Sequence, residues 1–226
     1  MHVLIIDDHP LYRDGLAAVL SGLQPDIEVT GVSHLAAAAA WRSSPAGAGR
    51  PVDLVLLDMA LPGVARLDAL AQVQVLFEDS SVVVVSGEDD AQFVMRAIDA
   101  GAAGYILKST DGDAVVQALR TVLSQGVYLP PTALLRPPGA VLGTAGVAVA
   151  TYAADLEAYV PSLSDKQRAV LQGLLQGKSN KLIARDLGIA EGTVKAPLWA
   201  VYQSLGVNSR SQAMCKAYEL GLLGRA

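Results

Sequence analysis

The sequence contains a single cysteine, no cationic leader and no long apolar run. Cys215 cannot form a disulfide within the chain, which favours a reducing compartment. The opening MHVLII is followed at once by aspartates, so we expect no secretory signal peptide. The longest weakly polar run, residues 139–154, is interrupted by glycine and falls short of the ~20 apolar residues that a membrane-spanning helix needs. These absences predict a cytoplasmic protein without a membrane partner.

Positive charge is scarce in the first part of the chain and concentrated at its end. Residues 1–130 have 7 Lys and Arg against 16 Asp and Glu, whereas residues 161–226 have 9 against 4. Residues 131–160 are rich in proline and glycine, which is typical of a linker. We therefore expect two domains, 1–130 and 161–226, joined by a linker at 131–160. The basic second domain suggests a polyanion as its partner, although chance clustering of solvated charges would give the same excess.

The first domain alternates short apolar runs with segments of helical periodicity. Because the runs are apolar at consecutive positions, they fit strands that are buried on both faces. Five strands alternating with five helices predict an α/β fold, a doubly wound five-stranded parallel sheet of the flavodoxin-like kind. In such folds the site lies at the carboxyl ends of the strands. The runs are VLIID (3–7), EVTGV (28–32), VDLVLLD (52–58), SVVVVS (81–86) and GYILK (104–108).

Charged and polar side chains follow four of these strands. Asp7 and Asp8 end the first strand and Asp58 ends the third, so three carboxylates should share one pocket. Such a group of hard oxygen ligands predicts a Mg²⁺ site. Ser86 and Lys108 follow the fourth and fifth strands, and a hydroxyl and an ammonium beside a carboxylate suit phosphoryl transfer onto it. A flavin-phosphate site is disfavoured, because two aspartates would repel the phosphate.

The motifs LIIDDHPLYRDGL, DLVLLDMALPG, VVVVSG and GAAGYILKS resemble the receiver domain of bacterial two-component response regulators, and DDHP resembles the NarL/FixJ type. The resemblance implies that Asp58 is the phosphoacceptor for a histidine kinase or a small phosphodonor. It implies that Asp7, Asp8 and Asp58 hold Mg²⁺. Lys108 and Ser86 would bind the phosphoryl group, and Ser86 and Tyr105 would form the conformational switch.

Each of these residues also has an ordinary structural interpretation. Asp7 and Asp58 alone would suit helix caps, Lys108 a solvated charge and Tyr105 a core position. We interpret His9 as a turn residue rather than a ligand. The sequence departs from the family at Arg66, where the loop after the phosphoacceptor usually has glycine, so we expect a bulkier loop there.

From Ser162 the chain has the pattern of a small all-α bundle. SDKQ (164–167) and SRSQ (209–212) are helix-starting sequences, and the first of them is a capping box. The spacing of Ala184, Gly188 and Val194 fits a helix-turn-helix, in which a small residue, a turn glycine and a branched residue allow two helices to pack closely.

The segments LSDKQRAVLQGLLQGKSNKLIARDLGIAEGTVK and LGVNSRSQA resemble the LuxR-type output domain. This resemblance implies that the helix after the turn enters the major groove of double-stranded DNA. The expected contacts to DNA come from exposed and basic side chains of the three helices, namely Lys181, Arg185, Thr193, Lys195, Ala196, Trp199 and Arg210.

Pro197 lies inside the helix that should read DNA, at a position where the family has histidine. A proline beyond the first turn removes one backbone hydrogen bond and costs ~3 kcal/mol. We therefore expect a helix that begins late or kinks, or a domain that is locally loose.

We interpret the chain as a response regulator that is phosphorylated on Asp58, dimerises when phosphorylated and binds DNA to regulate transcription. The alternative is a phosphorylation switch whose output domain binds a protein, with DNA reading impaired by Pro197. An Mg²⁺-dependent phosphohydrolase is less consistent, because Ala60 stands where such an enzyme would have a second aspartate. We expect no enzymatic turnover of an external substrate.

Overall fold

The computed structural model describes residues 1–24, 26–123, 127–130, 147–149, 160, 162–207, 209–220 and 222. Its first part is the predicted alternation of strands and helices, which ends with the strand β5 and the helix α5. The elements are β1 (His2–Ile6), α1 (Pro10–Leu23), β2 (Glu28–Val32), α2 (Leu35–Ser43), β3 (Leu54–Asp58), α3 (Arg66–Leu76), β4 (Ser81–Ser86), α4 (Ala91–Asp99), β5 (Gly104–Leu107) and α5 (Gly112–Leu123).

The five strands form one parallel sheet in the order β2-β1-β3-β4-β5. Successive residues of a strand face opposite sides, and in β3 Leu54 and Leu56 pack against α1 and α5 while Val55 and Leu57 pack against α2, α3 and α4. Both faces of the sheet are therefore covered, which confirms the doubly wound fold. The carboxyl ends of β1, β3, β4 and β5 lie along one edge.

A short pair of strands follows α5. The strand β6 (Val127–Leu129) pairs antiparallel with β7 (Val147–Val149). The main chain of β6 passes so close to β5 that a side chain at Gly104 would lie 3.1 Å from the carbonyl of Tyr128. The predicted linker at 131–160 thus contains a strand, because 147–149 has the valine-rich composition of one. Its other residues lie outside the described part of the chain, except Val160.

The C-terminal part is the predicted all-α bundle of α6 (Asp165–Leu175), α7 (Asn180–Asp186), α8 (Glu191–Leu205) and α9 (Arg210–Glu219). Ser164 and Gln167 form the capping box at the start of α6, and Ser209 caps α9. Gly188 has a φ of 63° in the turn between α7 and α8, a conformation that strongly favours glycine. Within the described residues, none of the helices is both long and apolar enough to cross a bilayer.

The helix α8 begins at Glu191 and continues through Pro197 to Leu205. The expectation of a late start is therefore wrong. Ala190 provides no side-chain cap, so neither the cap nor the proline favours the first two turns. The helix is held by its buried side, which consists of Val194, Leu198, Val201 and Leu205.

Candidate functional site

Three carboxylates converge at the carboxyl edge of the sheet. Asp7 follows β1 and Asp58 is the last residue of β3, and both are buried with 1% exposure. Asp8 is partly exposed at the rim. Oxygen atoms of these three residues and a nitrogen of His9 all lie within 4.8 Å of one another. Because β1 and β3 are adjacent parallel strands, their ends bring together residues that are 51 positions apart in the sequence.

The ammonium group of Lys108 lies between the two buried carboxylates. Its Nζ atom is 2.9 Å from Oδ2 of Asp7 and 2.9 Å from Oδ2 of Asp58. Burial opposes the charged form of Lys108, but its pairing with the carboxylates of Asp58 and Asp7 outweighs this and raises the pKa of the lysine. The lysine therefore stays protonated at physiological pH and neutralises only one of the two buried negative charges.

The donor set fits a divalent cation. Oδ2 of Asp7, Oδ1 of Asp8 and Oδ2 of Asp58 are buried oxygen atoms without a hydrogen bond of good geometry, although Lys108 forms ion pairs with two of them. The second oxygen of Asp58 accepts a hydrogen bond from the backbone N–H of Ala60, at 3.0 Å. Three carboxylates with one ammonium retain negative charge, and hard oxygen donors of this kind are what Mg²⁺ prefers.

Two residues of this pocket were not predicted as part of it. The ring nitrogen Nδ1 of His9 lies 2.8 Å from Oδ1 of Asp8 and 3.1 Å from Oδ1 of Asp7. The ring of Tyr12 lies 5.0 Å from Nζ of Lys108. Burial, together with the charges of Asp7 and Asp58, raises the pKa of Tyr12 to about 12. Their position in the sequence could have indicated both residues. Because α1 begins directly after the aspartates, its first turn must lie beside them.

The predicted switch residues meet at a single residue of the loop after β4. The backbone N–H of Glu88 donates to Oγ of Ser86 at 3.1 Å, and its carbonyl accepts from the hydroxyl of Tyr105 at 2.9 Å. Tyr105 is fully buried, and this burial raises the pKa of its phenol. Ser86 and Tyr105 are thus joined through the main chain of Glu88.

A second candidate surface lies on the helix-turn-helix. Thr193, Lys195, Ala196 and Trp199 are all exposed on α8, and Trp199 has 65% of its surface accessible. The opposite side of α8 packs into the bundle. These four residues therefore form one free face of the helix, as expected for a helix that enters a groove.

The two basic residues of α7 that were predicted to bind DNA form ion pairs with the first domain. Lys181 pairs with Glu78, and Arg185 pairs with Asp79 at 3.2 Å. The hydrogen bond from Lys181 lowers the pKa of Glu78. Both carboxylates belong to the turn between α3 and β4, so an acidic turn of the first domain faces a basic helix of the second.

A third contact joins the ends of two helices. Asp99, the last residue of α4, accepts hydrogen bonds from the backbone N–H of Ser211 at 2.7 Å and from its hydroxyl at 3.0 Å. Ser211 lies in the first turn of α9, where backbone N–H groups have no partner within the helix. We call these three contacts, Glu78–Lys181, Asp79–Arg185 and Asp99–Ser211, the domain interface.

Arg210 lies inside the bundle and not on the exposed surface expected of a DNA contact. Its guanidinium donates to the carbonyls of Lys178 at 3.0 Å and Leu174 at 3.4 Å. Burial lowers its pKa. Leu174 lies in the last turn of α6 and Lys178 shortly after it, where the helix dipole favours a cation. Arg210 therefore ties α9 to the end of α6.

Known proteins match both parts of the chain. Residues 3–120 match the family model described as response regulator receiver domain, and residues 161–217 match bacterial regulatory proteins, luxR family. The chain is 36% identical over 218 residues to the glycerol metabolism activator of Pseudomonas putida, with 96% of this chain and 95% of that protein covered. It is 30% identical to the transcriptional regulatory protein MctR of Rhizobium johnstonii, covering 100% and 96%.

Among solved structures, the chain is similar to RcsB from Salmonella enterica serovar Typhimurium bound to promoter P1flhDC in the presence of the phosphomimetic BeF3⁻. The TM-score is 0.50 at 18% identity, and the similarity covers 97% of this chain and 98% of that one. This likeness supports the fold of both domains. The two family models, with relatives that are aligned over almost their whole length, establish the identity. The chain belongs to the response regulators of the NarL type, transcriptional regulators in which a receiver domain precedes a LuxR-type DNA-binding domain.

Proposed function

We propose that Asp58 accepts a phosphoryl group and that its phosphorylation controls dimerisation and sequence-specific DNA binding. The observation that supports this most directly is the position of Lys108, whose ammonium contacts Asp58 and Asp7 together. An oxygen of Asp58 attacks phosphorus, and the bond to the donor breaks with its electron pair leaving on the donor. The donor is a phosphohistidine of a kinase or a small phosphorylated molecule. Lys108 stabilises the negative charge that gathers on the phosphoryl oxygens.

Asp7, Asp8 and Asp58 would hold Mg²⁺, because their buried oxygens lack hydrogen bonds of good geometry. When bound, the cation neutralises phosphoryl oxygens that the single ammonium cannot neutralise alone. Ser86 is close to the edge where Asp58 ends, and its hydroxyl would donate to the phosphoryl group. A movement of Ser86 on phosphorylation would be transmitted to Tyr105 through Glu88, to which both side chains are hydrogen-bonded. We propose no enzymatic turnover of an external substrate at this site.

The first experiment incubates the full chain with Mg²⁺ and a radiolabelled small phosphodonor and measures label that is stable to gel filtration. Asp58→Asn should abolish incorporation, because the amide oxygen is a poor nucleophile. Asp68→Asn is the matched control, since Asp68 is an exposed carboxylate on α3, away from the pocket. Label that persists in Asp58→Asn would contradict the assignment.

For DNA, we propose that α8 enters the major groove with Thr193, Lys195, Ala196 and Trp199 on its free face. Lys181 and Arg185 would contact phosphates from α7. Arg210 is omitted, because its guanidinium is already bonded to backbone carbonyls inside the bundle. A DNA-binding output requires access to the chromosome, so the protein would act in the cytoplasm.

The domain interface supplies the connection between the two activities. Lys181 and Arg185 are paired with Glu78 and Asp79, so phosphates of DNA must compete with these carboxylates for the same cations. We therefore propose that phosphorylation weakens the domain interface, freeing the basic residues of α7 and allowing two chains to bind a pseudo-palindromic site.

The test is a selection from random duplex DNA with and without beryllofluoride and Mg²⁺, in which beryllofluoride stands in for the phosphoryl group on Asp58. An inverted repeat that is enriched only in the loaded state would support the proposal. The alternative output, a protein partner, is motivated by Pro197. Absence of enrichment in both states, with recovery in Pro197→His, would favour it. Specific DNA binding should also weaken steeply with salt, because phosphate contacts release counterions.

A further inference from the structure

Arg66 makes two contacts that reach across the pocket edge. It is the first residue of α3, at the end of the loop that follows Asp58. Its guanidinium donates to the carboxylate of Glu88 and lies over the ring of Phe93, with Cζ 5.2 Å from the ring centroid. Glu88 belongs to the loop between β4 and α4, and Phe93 to the first turn of α4. One side chain of α3 therefore contacts both the loop and the helix that follows it.

The two residues that Arg66 contacts are the same ones that hold Ser86 and Tyr105. Glu88 is hydrogen-bonded through its main chain to both switch residues. The ring of Phe93 meets Tyr105 edge to face, with centroids 6.4 Å apart and planes at 79°. Tyr105 is thus held at its hydroxyl by Glu88 and at its ring by Phe93, and Arg66 contacts both of these residues.

Glu88 also contacts the Ser86 hydroxyl directly. A hydroxyl has one hydrogen to donate and two lone pairs that accept. Oγ of Ser86 accepts from the backbone N–H of Glu88, so this bond occupies a lone pair and does not use the hydrogen. Movement of Glu88 would break the bond and leave the Ser86 side chain less ordered when a phosphoryl group binds.

We propose that Arg66 is a positioning residue of the phosphoryl site. It holds Glu88 and Phe93 so that Ser86 is ordered and Tyr105 lies buried before any phosphoryl group arrives. This rests on the proposed function of Asp58, and it goes beyond it by assigning a role to a side chain where the family has glycine. The site is then partly preorganised for phosphorylation by a side chain that does not itself contact the phosphoryl group.

The expected effect is modest, because the side chains of Arg66 and Glu88 are 51% and 33% exposed. An exposed ion pair and a cation–π contact together correspond to a change of roughly threefold to tenfold in an equilibrium constant. The experiment titrates the full chain with beryllofluoride and Mg²⁺ and follows the bound anion by ¹⁹F NMR. Arg66→Ala and Glu88→Gln should each weaken binding within that range, and the double variant should be no weaker than Arg66→Ala alone.

Arg96 provides the matched control. Its guanidinium lies 5.5 Å from the centroid of the same Phe93 ring, but it belongs to α4 itself and does not connect α4 to α3. Arg96→Ala should therefore bind beryllofluoride like the wild type. Arg66→Lys, which keeps a cation for Glu88, should recover part of the loss. Thermal unfolding of all variants should change by no more than an exposed ion pair and a cation–π contact contribute, which separates positioning from a general loss of stability.

Two outcomes would overturn the inference while leaving the proposed function intact. One is wild-type or tighter binding in Arg66→Ala, and the other is an additive loss in the double variant, since independent effects mean that Arg66 does not act through Glu88. If the wild type itself does not bind beryllofluoride, or Asp58→Asn binds it equally well, both the proposed function and this inference fail.

Discussion

The contact between Asp99 and Ser211 allows a direct test of whether the domain interface restrains DNA binding. Asp99→Ala removes the carboxylate that accepts two hydrogen bonds from Ser211 in the first turn of α9. Asp99 ends α4, where a negative charge is unfavourable for the helix dipole, so its removal should not destabilise the receiver domain. The variant therefore changes the interface with little effect on either fold.

The size of the effect follows from these two bonds. Each net hydrogen bond contributes about 0.5–1.5 kcal/mol, and the larger values for charged groups are reduced here by solvent access. We take a total of about 1–2 kcal/mol, which shifts the equilibrium between bound and separated domains by about fivefold to thirtyfold. If only the separated form binds DNA, the affinity of unphosphorylated Asp99→Ala should rise by up to this factor.

The assay is fluorescence anisotropy of a labelled duplex that carries the selected site, at fixed salt, with and without beryllofluoride and Mg²⁺. Asp14→Ala is the control, because it removes the same charge from an exposed position on α1. Loaded Asp99→Ala should bind like the loaded wild type, since on this proposal loading has already weakened the domain interface. An unloaded affinity equal to that of the wild type, or an equal rise in Asp14→Ala, would refute the reasoning.

Three further predictions concern single side chains. Pro197→Ala restores a backbone N–H in the middle of α8 and should stabilise the LuxR-type domain by at most ~3 kcal/mol. Its thermal unfolding temperature, measured by circular dichroism, should rise accordingly. An unchanged or lower temperature would mean that the proline does not strain the helix. Arg210→Ala removes a charged donor to the carbonyls of Lys178 and Leu174 and leaves a space inside the bundle, so it should destabilise that domain by ~3 kcal/mol in a denaturant titration. Tyr12 should titrate with a pKa of about 12 in an ultraviolet absorbance titration, because burial and the nearby Asp7 and Asp58 disfavour the phenolate. Since its folded pKa is raised, the unfolded chain loses this proton first, and stability should fall as pH rises from the ordinary tyrosine value towards about 12. Tyr12→Phe should remove the phenol that titrates near 12 and reduce this fall, of which the raised pKa of Tyr105 keeps a part.

The parts of the fold that the sequence predicted correctly are those governed by local pattern. Apolar runs without alternation predicted a sheet covered on both faces, and parallel strands brought Asp7, Asp58 and Lys108 to one edge. The capping box at Ser164, the helix start SRSQ and the turn glycine located the helices of the second domain. Of the alternatives that Pro197 left open, a late start of α8 is wrong, because the helix begins at Glu191 and its buried side, which includes Leu198, Val201 and Leu205, holds it through the proline.

What the sequence did not predict depends on contacts between distant segments. Asp99 and Ser211 are 112 positions apart, and no periodicity relates them. Arg66 was recognised only as a departure from glycine, since its partners Glu88 and Phe93 are determined by the packing of α3 beside α4. Arg210 was assigned by charge to the DNA surface, whereas its hydrogen bonds to the carbonyls of Leu174 and Lys178 hold its side chain inside the bundle.

The helix α4 links the phosphoryl site to the domain interface. Its first turn carries Phe93, which contacts Tyr105 and Arg66, and its last residue, Asp99, bonds to Ser211. Nine helical residues span about 13 Å at ~1.5 Å each, and four of them are buried, so α4 would move as one body. A change at Ser86 that displaces Glu88 should therefore reach Asp99 without a separate chain of side-chain contacts. It follows that the effects of substitutions at Arg66 and Asp99 on DNA affinity should be coupled. In Asp99→Ala the contact between α4 and Ser211 is lost, so a displacement of α4 no longer reaches the domain interface through it. Arg66→Ala should therefore change DNA affinity less in the Asp99→Ala background than in the wild type.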